Sequence, residues 1–259
     1  MKLFQYIFLF LVFSGFAQET VETIFVKSTE LHADSFVGVD NFETLYYLST
    51  NVLHKKSGDN ILSYNNIQLG NISSVNTFNP LKINLFYQDF NTIVILDNRL
   101  AEIFKIDFSV LQPYKNVSLI STGYDTSIWI FNQDTQQLEL YDFKIHKTRA
   151  QTLPILSNVL DLKSNYNYAW LLTQDYFYTY NYFGSLVSKI KNNGYTSFSE
   201  SNGNYIFKKG NELHYLKEDS EQMKQIVLPE LLIKQFLVTN ETLYIYDEEF
   251  LHEYQLKTN

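Results

Sequence analysis

The chain has 259 residues, of which 45% are hydrophobic and 17% aromatic, and its formal charge is −8. That composition excludes a disordered chain and supplies enough apolar material for a large core, while the acidic balance makes phosphate backbones and anionic lipid surfaces poor partners, so no nucleic acid is expected. Cysteine is absent, which removes disulfides, thiolate metal sites, cysteine nucleophiles and the lipid-bearing cysteine of a bacterial lipoprotein together.

The chain opens with Lys2, an almost wholly apolar run over 3–13, and then Ser14, Gly15, Phe16 and Ala17. One positive charge, about a dozen apolar residues and small residues at the last and third-last positions predict a secretory signal peptide, 1–17, cut after Ala17. The run is shorter than the ~20 residues that a membrane-spanning helix needs. Residues 18–259 are therefore expected to be exported, without a transmembrane segment, as one domain. The segment 21–27 reads as a strand placed to pair with the last strand of the chain and close a ring.

Six times after this segment a short apolar strand is followed by an Asn/Asp-rich turn, a second apolar strand, another turn and a third strand. The central strands are 44–48, 92–96, 127–131, 168–172, 204–208 and 242–246, with Leu45, Ile93, Ile128, Ala169, Tyr205 and Leu243 in equivalent places. Their spacing is near the ~40 to 45 residues of a four-stranded blade, and the step from Leu45 to Ile93 is the longest. A fourth strand per unit is expected in the connecting segments, at 72–77, 110–113, 149–153, 185–190 and 225–228. The fold class is thus all-β, a β-propeller of six four-stranded blades. A seventh blade split between the chain ends is the alternative count, and a sandwich the alternative architecture. The segment 220–234 has weak helical spacing interrupted by Pro229, and it reads better as the innermost strand of the last blade.

The first turns of the units are expected on one common rim, which collects Asp40, Asn41, Asp89, Asn91, Asp125, Asn165, Asn167, Asn202, Asn204 and Asn240. These residue types close tight hairpins by tolerating positive φ and bonding their own backbone. A ring of amides and carboxylates also suits a hard cation or sugar hydroxyls.

Chemistry-bearing motifs are sparse. His32, His54, His146, His214 and His252 lie far apart and lack metal-ligand spacing, and no Gly-X-Ser-X-Gly occurs. Asp247, Glu248 and Glu249 sit together on a turn, where adjacent side chains splay apart. Lys144, His146, Lys147 and Arg149 form the one concentrated basic feature and read as a charged outer edge. No catalytic residue, metal ligand or cofactor is assigned. Blade four is rich in rings, and Tyr176, Tyr178, Tyr180 and Tyr182 are the candidate binding surface, with packing between blades as the competing explanation.

The stretches NPLKINLFYQDFNTIVILDNRLAEIFKIDF (79–108) and SIWIFNQDTQQLELYDF (127–143) resemble exported β-propeller proteins of Bacteroidetes that lack an assigned activity. The resemblance implies a propeller in the cell envelope. The expected function is a non-catalytic protein-interaction scaffold, periplasmic, with another envelope protein as partner. The alternative is a carbohydrate-binding or hydrolytic propeller with its site at the channel mouth, and a well-formed cavity lined by acidic groups would favour it.

Overall fold

The computed structural model describes residues 20–258 except 219 and 221, so the expected signal peptide lies outside the described residues. Strand β1 (Thr20–Glu30) comes first. Blade 1 follows with β2 (Ser35–Val39), β3 (Leu45–Ser49), β4 (Val52–Ser57) and β5 (Asn60–Tyr64). Blade 2 has β6 (Ser74–Asn76), β7 (Ile83–Tyr87), β8 (Thr92–Leu96) and β9 (Glu102–Asp107). Blade 3 has β10 (Val117–Thr122), β11 (Ser127–Asn132), β12 (Gln137–Asp142) and β13 (Lys147–Gln151). Blade 4 has β14 (Val159–Ser164), β15 (Tyr168–Thr173), β16 (Tyr176–Asn181) and β17 (Leu186–Lys191). Blade 5 has β18 (Ser197–Ser201), β19 (Asn204–Lys209), β20 (Glu212–Lys217) and β21 (Lys224–Ile226), and blade 6 has β22 (Gln235–Thr239), β23 (Thr242–Tyr246) and β24 (Phe250–Lys257).

Blade 6 takes its fourth strand from the other end of the described chain. Strand β1 runs antiparallel to β24 from Glu22↔Lys257 to Glu30↔Phe250, with a bulge between Phe25 and Lys27. Its first residues also pair in parallel with β21, Thr20 with Gln225 and Val21 with Ile226, which joins the outer edges of blades 5 and 6. Closure by hydrogen bonds protects an edge that would otherwise be open.

The innermost strands of neighbouring blades are stitched by side chains. Gln235 Oε1 accepts from the Phe36 N–H at 2.6 Å, Ser199 Oγ accepts from Val238 N–H at 3.0 Å, and Asp161 Oδ2 accepts from Phe198 N–H at 3.1 Å. Blade 3 is held on both sides, by Asn76 Nδ2 donating to Ser121 Oγ at 3.2 Å and by Ser164 Oγ donating to the Thr122 carbonyl at 2.5 Å. Behind these polar inner strands, β7, β8 and β11 are buried at every position, since a blade is covered on both faces. Each Ile, Val, Leu or Phe fully buried there contributes about 1.5–3 kcal/mol.

The second unit departs from the sequence reading by one strand. Residues 92–96 are the third strand of blade 2, and the second is β7, each of them buried throughout and apolar at four of five positions, while the true first strand β6 is only three residues of a polar stretch. With β7 in its place the second strands begin at 45, 83, 127, 168, 204 and 242, and the long first step disappears. Residues 110–113 form no strand. Residues 224–226 are the outermost strand of blade 5, not the innermost of the last blade, because Ile226 is buried against Val21 from the closing strand.

The slip has a consequence for the turns. Asp89 and Asn91 belong to the β7–β8 connection and so lie on the rim opposite the first turns. There Asn91 Nδ2 donates to the Lys115 carbonyl at 2.7 Å while its Oδ1 accepts from Val117 N–H at 3.1 Å. Asn51 makes the same pair of bonds with Gly70 and Ile72, and Asn211 with Leu231 and Ile233. On this rim asparagine is a clamp that holds the connection to the next blade.

Candidate functional site

The rim that carries the first turns opens onto a cavity of about 610 Å³, lined by the inner strands and first turns of blades 1, 2, 4, 5 and 6. Its lip is shaped by Asx turns. Asp40 Oδ1 accepts from the N–H groups of Phe42 and Thr44 at 2.9 and 3.0 Å, and its Oδ2 from the Tyr46 hydroxyl at 3.1 Å. Asn165 Oδ1 accepts from Asn167 and Tyr168 N–H, both at 2.8 Å. Each carboxylate or amide is occupied by its own turn, and what it presents to solvent is an aromatic ring: Phe42, 80% exposed, and Tyr166. Phe78 comes from the blade 2 turn and meets Tyr166 edge-on, with ring centroids 5.2 Å apart. That contact reaches from blade 2 to blade 4 past blade 3, which lends no residue to the cavity wall.

Amides link the other side of the lip. The β18–β19 and β22–β23 hairpins are two-residue turns with Asn202, Gly203, Asn240 and Glu241 all at positive φ, the geometry that Asn and Gly tolerate best. They set Asn202 Nδ2 to donate to Asn240 Oδ1 at 3.4 Å, and Asn240 Nδ2 to Asn41 Oδ1 at 3.0 Å. Three first turns thus present a chain of carboxamides with donors and acceptors left over for a ligand.

Between blades 4 and 5 the wall is acidic and aromatic. Glu200 Oε1 accepts from Gly203 N–H at 3.0 Å, and the Gly203 carbonyl accepts from Glu218 N–H at 2.7 Å, so one hairpin tip holds Glu200 by its carboxylate and Glu218 by its backbone. A Cβ on Gly203 would fall 2.4 Å from Glu218 Oε2, which the flexible glutamate can relieve by shifting, so it is the positive φ that calls for glycine here. Burial pushes the Glu200 carboxyl above its ordinary range; the Gly203 N–H opposes this and the Glu218 charge adds to it. Among the described residues neither carboxylate has an ion-pair partner. The cation on this wall, Lys163, is 3.1 Å from Asp161. Tyr168 and Trp170 line the same cavity with ring centroids 6.1 Å apart, and Tyr205 stands edge-on to Trp170 at 5.8 Å. Burial, then Glu200 and Glu218, drive the Tyr205 phenol upward. The Trp170 indole N–H is buried against the Tyr205 hydroxyl and opposes that upward shift.

The remaining sequence candidates lie elsewhere. Tyr180 is buried between blades 3 and 4 and Tyr178 packs half-buried against the same cluster. Lys189 Nζ covers Tyr176 at 3.7 Å from the ring centroid. Tyr182 is exposed beside Phe183, centroids 4.1 Å apart, so of the four tyrosines it offers the most open ring. Asp125 gives its carbonyl to Lys82 Nζ, which also bonds the carbonyls of Gly123 and Ser127 at 2.8 and 3.1 Å and ties the blade 2 and blade 3 turns together. None of the five histidines lines the cavity. Asp247 binds His252 at 2.8 Å and Glu248 binds Lys234 at 2.6 Å on the opposite rim. Arg149 turns inward to Asp142 and the Tyr124 ring. Among the described residues no group of three or more His, Asp or Glu is placed to hold a metal ion, and no helix is long and apolar enough to cross a membrane.

Sequence reasoning missed Glu200, Glu218, Trp170, Phe42 and Phe78. One signal was legible: Phe42, Phe78 and Tyr166 each stand next to an asparagine in a first turn, where an apolar ring has no packing reason to be.

No protein-family model matches the sequence, and no curated protein matches it. Solved structures do match in fold. A catalytically inactive H270A virginiamycin B lyase from Staphylococcus aureus with quinupristin superposes with a TM-score of 0.60 at 10% identity, over 88% of this chain and 99% of that one. The Neurospora crassa Pan2 WD40 domain gives 0.60 at 10% identity over 88% and 75%. A chain of a mitotic checkpoint complex gives 0.58 at 10% identity over 90% and 94%. At these identities the likeness is one of fold, and the chain is a β-propeller with four-stranded blades.

Proposed function

We infer that this propeller is a binding protein whose working face is the first-turn rim, and that its ligand is a carbohydrate segment seated in the channel mouth. The observation that carries the reading is the combination, in one cavity of about 610 Å³, of a carboxamide chain, exposed rings at the lip and an acidic wall. Hydroxyl-rich ligands need many moderate donors and acceptors together with flat apolar faces, and both are present. Retention of the protein on a panel of polysaccharides tests this. Wild type is expected to be retained on at least one glycan, and a Phe42→Ala/Phe78→Ala double variant to lose about tenfold in affinity. Absence of retention on every glycan, or retention indifferent to both rings, would sink the reading. New reducing ends on prolonged incubation would move the assignment from binding to hydrolysis.

A protein-interaction scaffold is the second reading, favoured by apolar residues left open on outer strands: Leu186 and Val187 on β17, and Ile24, Phe25 and Val26 on β1. The partner in this reading is another envelope protein. Export to the periplasm, which the first seventeen residues point to, belongs to both readings. A crosslinking pull-down with Val187→Glu separates them, since a scaffold loses its partner and a glycan binder keeps its ligand.

A further inference from the structure

The rim opposite the channel mouth carries the second turns and the connections between blades, and three consecutive connections on it show apolar side chains to solvent. Ile67 is 87% exposed between blades 1 and 2, Val110 and Tyr114 are exposed between blades 2 and 3, and Leu153 and Leu156, at 86% and 91%, stand between blades 3 and 4. Phe90, in the β7–β8 turn of the same rim, is half exposed. One open leucine on a surface is ordinary, but a run of apolar side chains along one rim marks an interaction face.

The backbone beneath them is fixed. In each connection a neighbouring residue points inward: Leu69 and Ile155 are buried, and Leu111 packs against the cluster between blades 2 and 3. Asn51 and Asn91 clamp the first two connections. The third is tied by Ile155 N–H donating to the Gln136 carbonyl and by Gln137 Nε2 donating to the Thr152 carbonyl, both at 2.7 Å. A partner seated on this crescent therefore has little loop ordering to offset.

The charge around the crescent selects among partners. Asp89, Asp134 and Asp175 are exposed in the turns beside it, and Asp175 N–H reaches Ser157 Oγ of the third connection at 3.2 Å. The connections 65–73, 108–116 and 152–158 and the turns 88–91, 133–136 and 174–175 hold one basic residue, Lys115, which is buried against Glu139. Apolar anchors flanked by carboxylates, with no exposed cation, repel an anionic lipid surface and complement a segment that carries Lys or Arg beside an apolar face. We propose that this rim is a docking face for a basic amphipathic segment of a partner protein, seated on Ile67, Val110, Tyr114, Leu153 and Leu156. The channel mouth is on the other side of the ring, so this face can be occupied whatever the mouth binds.

The test is fluorescence anisotropy with a labelled peptide of leucine and lysine patterned as an amphipathic helix, with a scrambled peptide of the same composition, and with the same pattern carrying glutamate for lysine. The patterned leucine–lysine peptide is expected to bind at least about tenfold more tightly than either control, and a Leu153→Ser/Leu156→Ser double variant to lose about tenfold in affinity for it. Asp134→Asn is expected to weaken it about threefold. Val187→Ser, on the outer strand of blade 4, controls for the loss of any exposed apolar residue and is expected to change nothing. Equal binding of the patterned and scrambled peptides overturns the docking face by reducing it to net charge. Affinity indifferent to Leu153 and Leu156, or no binding of the patterned peptide, overturns it as well. Binding to phosphatidylcholine vesicles that the double variant loses also overturns it, in favour of a lipid surface. Circular dichroism of each variant confirms that the propeller is folded before a loss is counted, and retention of the double variant on glycans as for wild type keeps the two faces separate.

Discussion

Two glutamates two blades apart on this ring have opposite surroundings. Glu139, in blade 3, is 3% exposed and accepts hydrogen bonds from Lys115 Nζ, Thr148 Oγ1 and Asn132 Nδ2 at 2.5, 2.6 and 2.9 Å. Burial alone would raise its carboxyl, but those three donors hold it below the ordinary range. Glu200, in blade 5, has one backbone N–H and a second carboxylate for company, and its carboxyl is raised. A buried acid with all its bonds made is a structural element. A half-buried acid beside a like charge, on the wall of an open cavity, has a reason to be there that the fold does not supply.

The largest effect expected from this contrast is on the structural side. Lys115→Met leaves the buried Glu139 charge without its cation, held by Thr148 and Asn132 alone, and is expected to cost about 3–5 kcal/mol, lowering Tm by about 10 °C in a thermal melt. Lys82→Met comes next. It leaves the carbonyls of Gly123, Asp125 and Ser127 without their ammonium and is expected to cost about 2 kcal/mol, checked by urea unfolding. A loss below half a kilocalorie in either variant would show that the bonds drawn there contribute little to stability.

The propeller itself was legible because its repeat is a matter of spacing: apolar runs of five or six residues separated by turn formers recur whatever their pairing. The one misplaced strand shows the limit of that signal. Strands β7 and β8 are equally apolar, so periodicity could not say which is second, while β6 is too short and polar to be noticed. Asparagine was ambiguous for a related reason, since the same residue clamps a linker at Asn51, Asn91 and Asn211 and faces the cavity at Asn41, Asn202 and Asn240. Only the rim separates the two uses. The acidic wall was invisible because Glu200 and Glu218 are eighteen positions apart and meet through a hairpin register, with Trp170 arriving from another blade. Tyr180 was read as surface because alternation along a strand does not reveal which face the next blade covers.

The two glutamates also differ in their response to pH. Glu139, with a depressed carboxyl, contributes stability that is complete above its unfolded value near 4.5 and is lost as pH falls through its lower folded value. Glu200, with a raised carboxyl, behaves in the opposite sense: its contribution is complete below the unfolded value and is lost as pH rises through the folded one. Thermal melts from about pH 7 to about pH 3 should therefore find the deficit of Glu139→Gln shrinking with acid. Over the same range, Glu200→Gln should be slightly more stable than wild type near neutrality, by about 2 °C, with the advantage vanishing in acid. Parallel curves for the two variants would erase the distinction between them.

The central claim is that the channel mouth binds a ligand at the wall built by Glu200, Tyr168 and Trp170. The chain has two tryptophans, Trp129 in the core between blades 3 and 4 and Trp170 on the cavity wall. Trp129→Phe leaves Trp170 as the sole indole emitter, and titrating that variant with a soluble form of a glycan that retains the wild type, while following its emission, reads the wall directly. A saturable change that disappears when Phe42→Ala and Phe78→Ala are added is the predicted result. Emission that stays flat up to millimolar glycan, in a variant whose circular dichroism matches wild type, would contradict it.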